Sequence, residues 1–284
     1  MHNSMIFFIQ CECHWICVYE ASGRYNFLKR INVLGMINPS DLLVFDECLY
    51  IPDDRTSRTR NVSGVNSESD HCIWKVQLSY VMQPEKTTGN HPEKMLKLGK
   101  WWPWSLSRTL DGKQIIITTT TNKVYFWNPE IKNQIQIETV TLPSIIHSSQ
   151  HIIELSSSFY LLCHNPWARS CLRKVCVLVR KGNDMHFKDS PSVMDDLDNP
   201  RHLAELPDGR IVVVDHFNNR VLVMDKDLNS YTEVLRLKNG GKKRPCRVAY
   251  DKLSNLLAVA FHHYVGLYSP NIDLIGALPS GKVI

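Results

Sequence analysis

No stretch of this 284-residue sequence approaches the ~18 to 20 consecutive apolar residues of a membrane span, and the apolar start at Met5 to Ile9 gives way at once to Gln10, Glu12 and His14. That start reads as a strand and not as a secretory leader, so no membrane association is expected. The nine cysteines, an odd number, then read as reduced thiols in a cytoplasmic protein, and the Asn61-Val62-Ser63 sequon as silent. Enzymatic signatures are missing too. There is no Gly-x-Ser-x-Gly elbow, phosphate loop, dinucleotide fingerprint or His-Glu-x-x-His helix, so no catalytic residue, no cofactor and no enzymatic activity are expected. Structural zinc needs paired cysteines across turns. Cys11, Cys13 and Cys17 share one strand face with Trp15, and Cys171 and Cys176 are separated by a loop, so neither group has that spacing. A net charge of +5 is too small for an obligate nucleic-acid binder, and DNA is not expected as a partner.

What the sequence does contain is short, β-branched, turn-punctuated strands. In residues 199 to 225, Leu203 to Leu206 give one strand, Asp208-Gly209 a hairpin turn, Ile211 to Val214 a second strand, Asn218-Asn219 another turn and Val221 to Met224 a third. Strands this apolar require cover on both faces, which stacked blades around an axis supply. The unit recurs. Residues 103 to 128 repeat it with a turn at Asp111-Gly112 and strands at Gln114 to Thr118 and Lys123 to Trp127, and further copies start near 39, 149 and 245. The starts at 39, 103, 149, 200 and 245 imply a blade of about 45 residues, the period of propeller repeats. The long first interval carries two expected surface insertions, Asp53 to Asp70 and Gln83 to Leu98. With 43% hydrophobic and 21% charged residues the chain is expected to form one all-β propeller domain over 1–284.

Pro200, Asp208, Gly209, Asp215, Asn218, Arg220 and Asp225 match the NHL-repeat pattern position by position. The succession ICVYEASGRYNFLKRINVLGMINPSDLLVFDECLYIPDD, CIWKVQLS and WPWSLSRTLDG also resembles the propeller halves of invertebrate proteins related to tripartite-motif (TRIM-NHL) ubiquitin ligases. This resemblance implies a six-bladed, non-enzymatic recognition propeller, in the setting of a ubiquitin ligase-like protein its substrate-recognition part. Met5 to Gln10, Trp15 to Glu20 and Asn26 to Val33 supply only three strands for an N-terminal blade over 4–35, so its innermost strand is expected to be missing. Either a longer protein provides it or the tail Lys282 to Ile284 closes the ring imperfectly.

Aligning the blade starts puts Asp41, Ser105, His151, His202 and Arg247 third in each inner strand, followed each time by an apolar residue. Period-two alternation then directs the polar side chains to one mouth of the central channel. A transition metal there is disfavoured by register, because histidines of a related peptide-amidating lyase directly follow the proline, where this chain has Arg201. A rim of Arg201, Lys242, Lys243 and Arg244 with Trp102 and Trp104 offers charge and stacking faces for single-stranded RNA, the alternative to a protein partner. A calcium-dependent propeller hydrolase is the third reading, and it suffers from having only Asp41 acidic in the ring.

Overall fold

The computed structural model describes residues 5–10, 15–20, 25–54, 71–83, 91–99, 101–131, 137–164, 175–188, 196–237, 244–261, 264–269 and 274–279. Among the described residues, every regular element apart from one short helix, α1 (Leu78–Met82), is a strand. The first sheet has three strands, β1 (Met5–Gln10), β2 (Trp15–Glu20) and β3 (Phe27–Asn32). Next comes a four-stranded sheet of β4 (Leu43–Phe45), β5 (Cys48–Asp53), β6 (His71–Gln77) and β7 (Glu93–Gly99). An eight-stranded sheet follows. It consists of two antiparallel meanders, β8 (Pro103–Arg108), β9 (Ile115–Thr119), β10 (Lys123–Trp127), β11 (Ile137–Thr141) and then β12 (Ser149–Ser156), β13 (Phe159–His164), β14 (Val175–Lys181), β15 (Asp184–Phe187). The two are joined by a single parallel bridge, Thr141 to Asp184. Two further four-stranded meanders complete the chain: β16 (Pro200–Glu205), β17 (Ile211–Asp215), β18 (Arg220–Met224), β19 (Tyr231–Arg236), and β20 (Pro245–Asp251), β21 (Leu256–Phe261), β22 (Tyr264–Tyr268), β23 (Leu274–Pro279).

Each meander buries both faces against its neighbours, as the apolar second and third strands require. Phe7, Ile16 and Val18 of the first sheet pack on Leu49, Ile51 and Trp74 of the second. The other face of that second sheet, through Tyr50, Ile73 and Leu96, meets Leu106, Ile115 and Trp127. Phe126 and Val140 then meet Leu162 and Leu178, Leu161 and Val175 meet Val213 and Leu222, and Val212 and Val214 meet Leu257 and Val259. Finally Val265 and Leu267 return to Ile6, Cys17 and Tyr19 of the first sheet. The order of cores therefore closes on itself.

The expected turns form as the residue types dictate: Gly112 and Gly209 have φ of 69° and 82°, and Asn219 has φ of 55°. The expected insertions are narrower than the sequence suggests. Asp53 ends β5 fully buried and Asp54 is also buried, while Glu93 to Leu98 lie in β7 with Leu96 and Leu98 in the core. Lysines interleaved in EKMLKLG disguised an outer strand that is wet on one face. Residues 55–70 of the first insertion and 84–90 of the second, the sequon, Cys11, Cys13, Cys171 and the tail 282–284 lie outside the described residues.

Candidate functional site

The blade starts share one irregularity. Pro103 pairs with Thr119 but Ser105 with Thr118, Pro200 with Asp215 but His202 with Val214, and Pro245 with Phe261 but Arg247 with Ala260. Ser149 and His151 repeat the shift against His164 and Cys163. One extra residue is thus looped out at the head of each of these inner strands: Trp104, Gln150, Arg201 and Cys246. Such a bulge re-aims the side chains around it. Strict alternation, the basis for disfavouring a metal by register, therefore does not hold at these positions. The next residue in each case, Leu106, Ile152, Leu203 and Val248, is buried in the packing between sheets.

The third-position residues converge. Ser105 Oγ donates to Asp41 Oδ2 at 2.6 Å, and the Leu106 N–H donates to the same oxygen at 2.9 Å. His202 Nε2 stands 3.6 Å from Asp41 Oδ2, and Arg247 Nε stands 3.6 Å from Asp41 Oδ1. The rings of His151 and His202 stack with centroids 3.7 Å apart. The Arg247 guanidinium reaches across to the backbone carbonyls of Ser40 at 2.8 Å and Trp104 at 3.4 Å. The sequence places these groups at an open mouth, but they are a buried plug. Ser105 is fully buried, His151 and His202 nearly so, and the Arg247 side chain is 18% exposed. The inner strands lie close enough for the side chains to fill the space between them.

Electrostatics follow from that burial. Desolvation opposes ionisation of Asp41, but His202 and then Arg247 outweigh it and hold the carboxyl well below its usual range. Burial, followed by neighbouring positive charge, pushes His151 well below the usual imidazole value, and burial does the same to His202 despite Asp41. The cluster thus holds an ionised carboxylate, a guanidinium and two neutral imidazoles at neutral pH.

Asp41, His202 and Arg247 form the polar floor of a cavity of about 190 Å³. Its walls are Ile6, Phe7, Phe8 and Ile9 of β1, Leu42, and residues of β20 to β22 including Ala258, Ala260 and Tyr264. Four successive residues of one strand line it, so the cavity runs along the edge of β1. That edge has no partner strand among the described residues. Counted inward from the outer strands β3 and β19, β1 corresponds to β17, the second strand of its sheet. The cavity therefore occupies the place that β16 or β20 fills elsewhere. Nothing in the sequence signalled this cavity, whose walls come from β1 and from β20 to β22.

The RNA rim expected from the sequence is described only in part. Lys242 and Lys243 lie outside the described residues, and the Arg244 guanidinium sits 4.9 Å over the Phe217 ring. Trp102, beside His71, and Trp104 are half-buried, as is Arg201. Among the described residues no helix is long and apolar enough to cross a membrane.

No family model matches the sequence, and no curated protein matches it. The structure is similar to a chain in the crystal structure of a nidogen/laminin complex, with a TM-score of 0.65 and 12% identity, covering 97% of this chain and 92% of that one. As many as 1532 solved chains match, so the likeness carries no ligand with it. What it shows, together with the radial succession of antiparallel meanders, is the fold: the chain is a β-propeller.

Proposed function

We propose that this chain is a non-catalytic, cytoplasmic recognition propeller of NHL type, with six blades, that binds a protein partner as an extended peptide along β1. The blade count rests on the succession of meanders, the first with three strands among the described residues. The NHL reading is supported by what its signature residues do. Asp208-Gly209 forms the hairpin turn, Asp215 binds Asn218 and Arg220, and Asp225 accepts the backbone N–H groups of Asn229 and Ser230. By the same resemblance the propeller serves as the substrate-recognition part of a ubiquitin ligase-like protein.

One observation carries the choice of ligand: the apolar cavity along the edge of β1 that no strand covers among the described residues. An incoming strand would satisfy the backbone groups of that edge and place alternate side chains against Leu42, Ala260 and Val265. The likeness to a propeller from a protein complex agrees with a binding role.

The test is selection of peptides of about ten residues from a random display library on the immobilised protein. We expect enrichment of alternating apolar sequences whose binding is lost in Ala260→Trp, which fills the cavity, with the urea midpoint of that variant confirming that it is folded. No enrichment, or peptides indifferent to Ala260→Trp, would refute the peptide reading. Single-stranded RNA is the second reading, supported by the position of Arg201, Arg244, Trp102 and Trp104 at or beside the first residues of β16, β20 and β8. It is tested by anisotropy with pooled short RNA at two salt concentrations, where each phosphate contact contributes a log–log slope of about 0.7.

A further inference from the structure

We propose that Asp41, His151 and His202 form a binding site for one divalent transition-metal ion of the zinc class on the propeller axis. Their potential ligand atoms all lie within 4.8 Å of one another, and each residue comes from a different blade start, so the fold itself assembles the set.

The geometry favours ligands over a hydrogen-bonded trio. Neither ring nitrogen of His202 closes a hydrogen bond, although both are buried, and buried polar atoms without partners are uncommon. The 3.6 Å between His202 Nε2 and Asp41 Oδ2 is too long for a hydrogen bond. It is close to the roughly 3.4 Å that separates two ligands at about 2.1 Å from one tetrahedral ion. Asp41 is also held from behind as metal-ligating carboxylates are, by Ser105 Oγ and the Leu106 N–H. His151 Nδ1 accepts only a long bond from the Leu203 N–H, at 3.3 Å, which a metal would displace. Drawing His151 in from the 4.8 Å limit requires about an ångström of ring movement at the stacked pair.

Two neutral imidazoles and a carboxylate are a borderline-soft donor set, suited to Zn²⁺ or Co²⁺ more than to Ca²⁺ or Mg²⁺. The cavity beside Asp41 and His202 gives the ion access and leaves room for a water as fourth ligand. Arg247 works against the ion: its charge lies 3.6 Å from Asp41 Oδ1, so it lowers affinity without removing a ligand.

The experiment uses the full chain after chelation and dialysis, titrated with Zn²⁺ by calorimetry and with Co²⁺ by visible absorption. We expect one ion per chain, a rise of several degrees in Tm with Zn²⁺, and the d–d bands of four-coordinate Co²⁺ without a thiolate charge-transfer band. His202→Gln should weaken binding at least 100-fold, Arg247→Gln should tighten it, and Cys246→Ser, which alters the thiol on the cavity wall, should leave it unchanged. A thiolate band in the Co²⁺ spectrum, the absence of stoichiometric binding, or unchanged affinity in folded His202→Gln would overturn the proposal. The spectrum of the unsubstituted protein decides the matter even if His202→Gln fails to fold.

Discussion

At the residue scale, the most constrained polar groups are Asp215 and Arg220. Asp215 is fully buried, and its Oδ2 accepts from Arg220 Nε at 2.7 Å and from Asn218 Nδ2 at 2.8 Å, while Oδ1 accepts from the Asp198 N–H. Arg220 continues to Asp196 Oδ2 at 2.7 Å, tying the segment entering β16 to the turn between β17 and β18. Burial pushes the Asp215 carboxyl up, against the pull of Asn218 and Arg220. Removing the guanidinium would leave that carboxylate uncompensated, so Arg220→Ala should cost about 3–5 kcal/mol. Arg210 makes an equally short contact with Asp208, but those side chains are 39% and 52% exposed, and Arg210→Ala should cost less than about 1 kcal/mol. Urea unfolding at pH 7 measures both, and similar midpoints for the two variants would contradict the role assigned to burial. In the second sheet Asp53 holds the matching place, bridged through Pro39, with Trp74 Nε1 donating at 3.0 Å where Arg220 donates in the other. This substitution of indole for guanidinium explains why that blade departs from the repeat signature while keeping its geometry.

At the scale of elements, turn chemistry should be measurable in isolation. Gly112 has φ of 69° and nothing within 4 Å of the place a Cβ would occupy, so a side chain there meets only the backbone penalty of the left-handed region. Gly112→Ala should lower stability by about 1–2 kcal/mol, and Gly112→Asn by less, since asparagine tolerates that conformation. Equal urea midpoints for alanine and asparagine would show that steric crowding and not φ governs the turn. The same chemistry explains what was legible in the sequence. Asp-Gly, Asn-Asn and Thr-Asn turns between β-branched runs marked β17, β18, β9 and β10 within a residue, and Met5 to Gln10 and Trp15 to Glu20 coincide with β1 and β2, whereas the strand read from Leu203 begins three residues earlier, at Pro200. The outer strand β7 was hidden, because only one of its faces is apolar. The convergence of Asp41, Ser105, His151, His202 and Arg247 followed from their shared position in the repeat. Their burial did not, because a looped-out residue such as Arg201 has no signature separable from ordinary alternation. The cavity was illegible for a different reason: its walls are brought together by ring closure between β1 and β20 to β22, a contact that local periodicity cannot encode.

At the scale of the whole molecule, the axial cluster joins residues as far apart as Asp41 and Arg247, so its protonation is linked to global unfolding and not to local fraying. Both His151 and His202 are depressed in the folded chain, chiefly by burial, whereas in the unfolded chain they titrate near 6.5. Between that value and their lowered folded values, the unfolded state binds protons that the folded cluster refuses. Stability is therefore complete above about pH 7 and falls as pH drops through 6.5, with a limiting slope of about 1.4 kcal/mol per pH unit for each histidine. Asp41, held low by His202 and Arg247 against desolvation, adds a separate loss at more acidic pH, where the unfolded carboxyl takes up its proton below about 4. Other histidines contribute to the measured curve, so the decisive quantity is a difference. Urea unfolding between pH 7.5 and 5, in chelator to keep the cluster metal-free, should show a shallower pH dependence for the double variant His151→Gln/His202→Gln than for the unsubstituted chain. If the two curves run parallel through this window, the axial histidines are not the groups that resist protonation, and the electrostatic account of the plug is wrong.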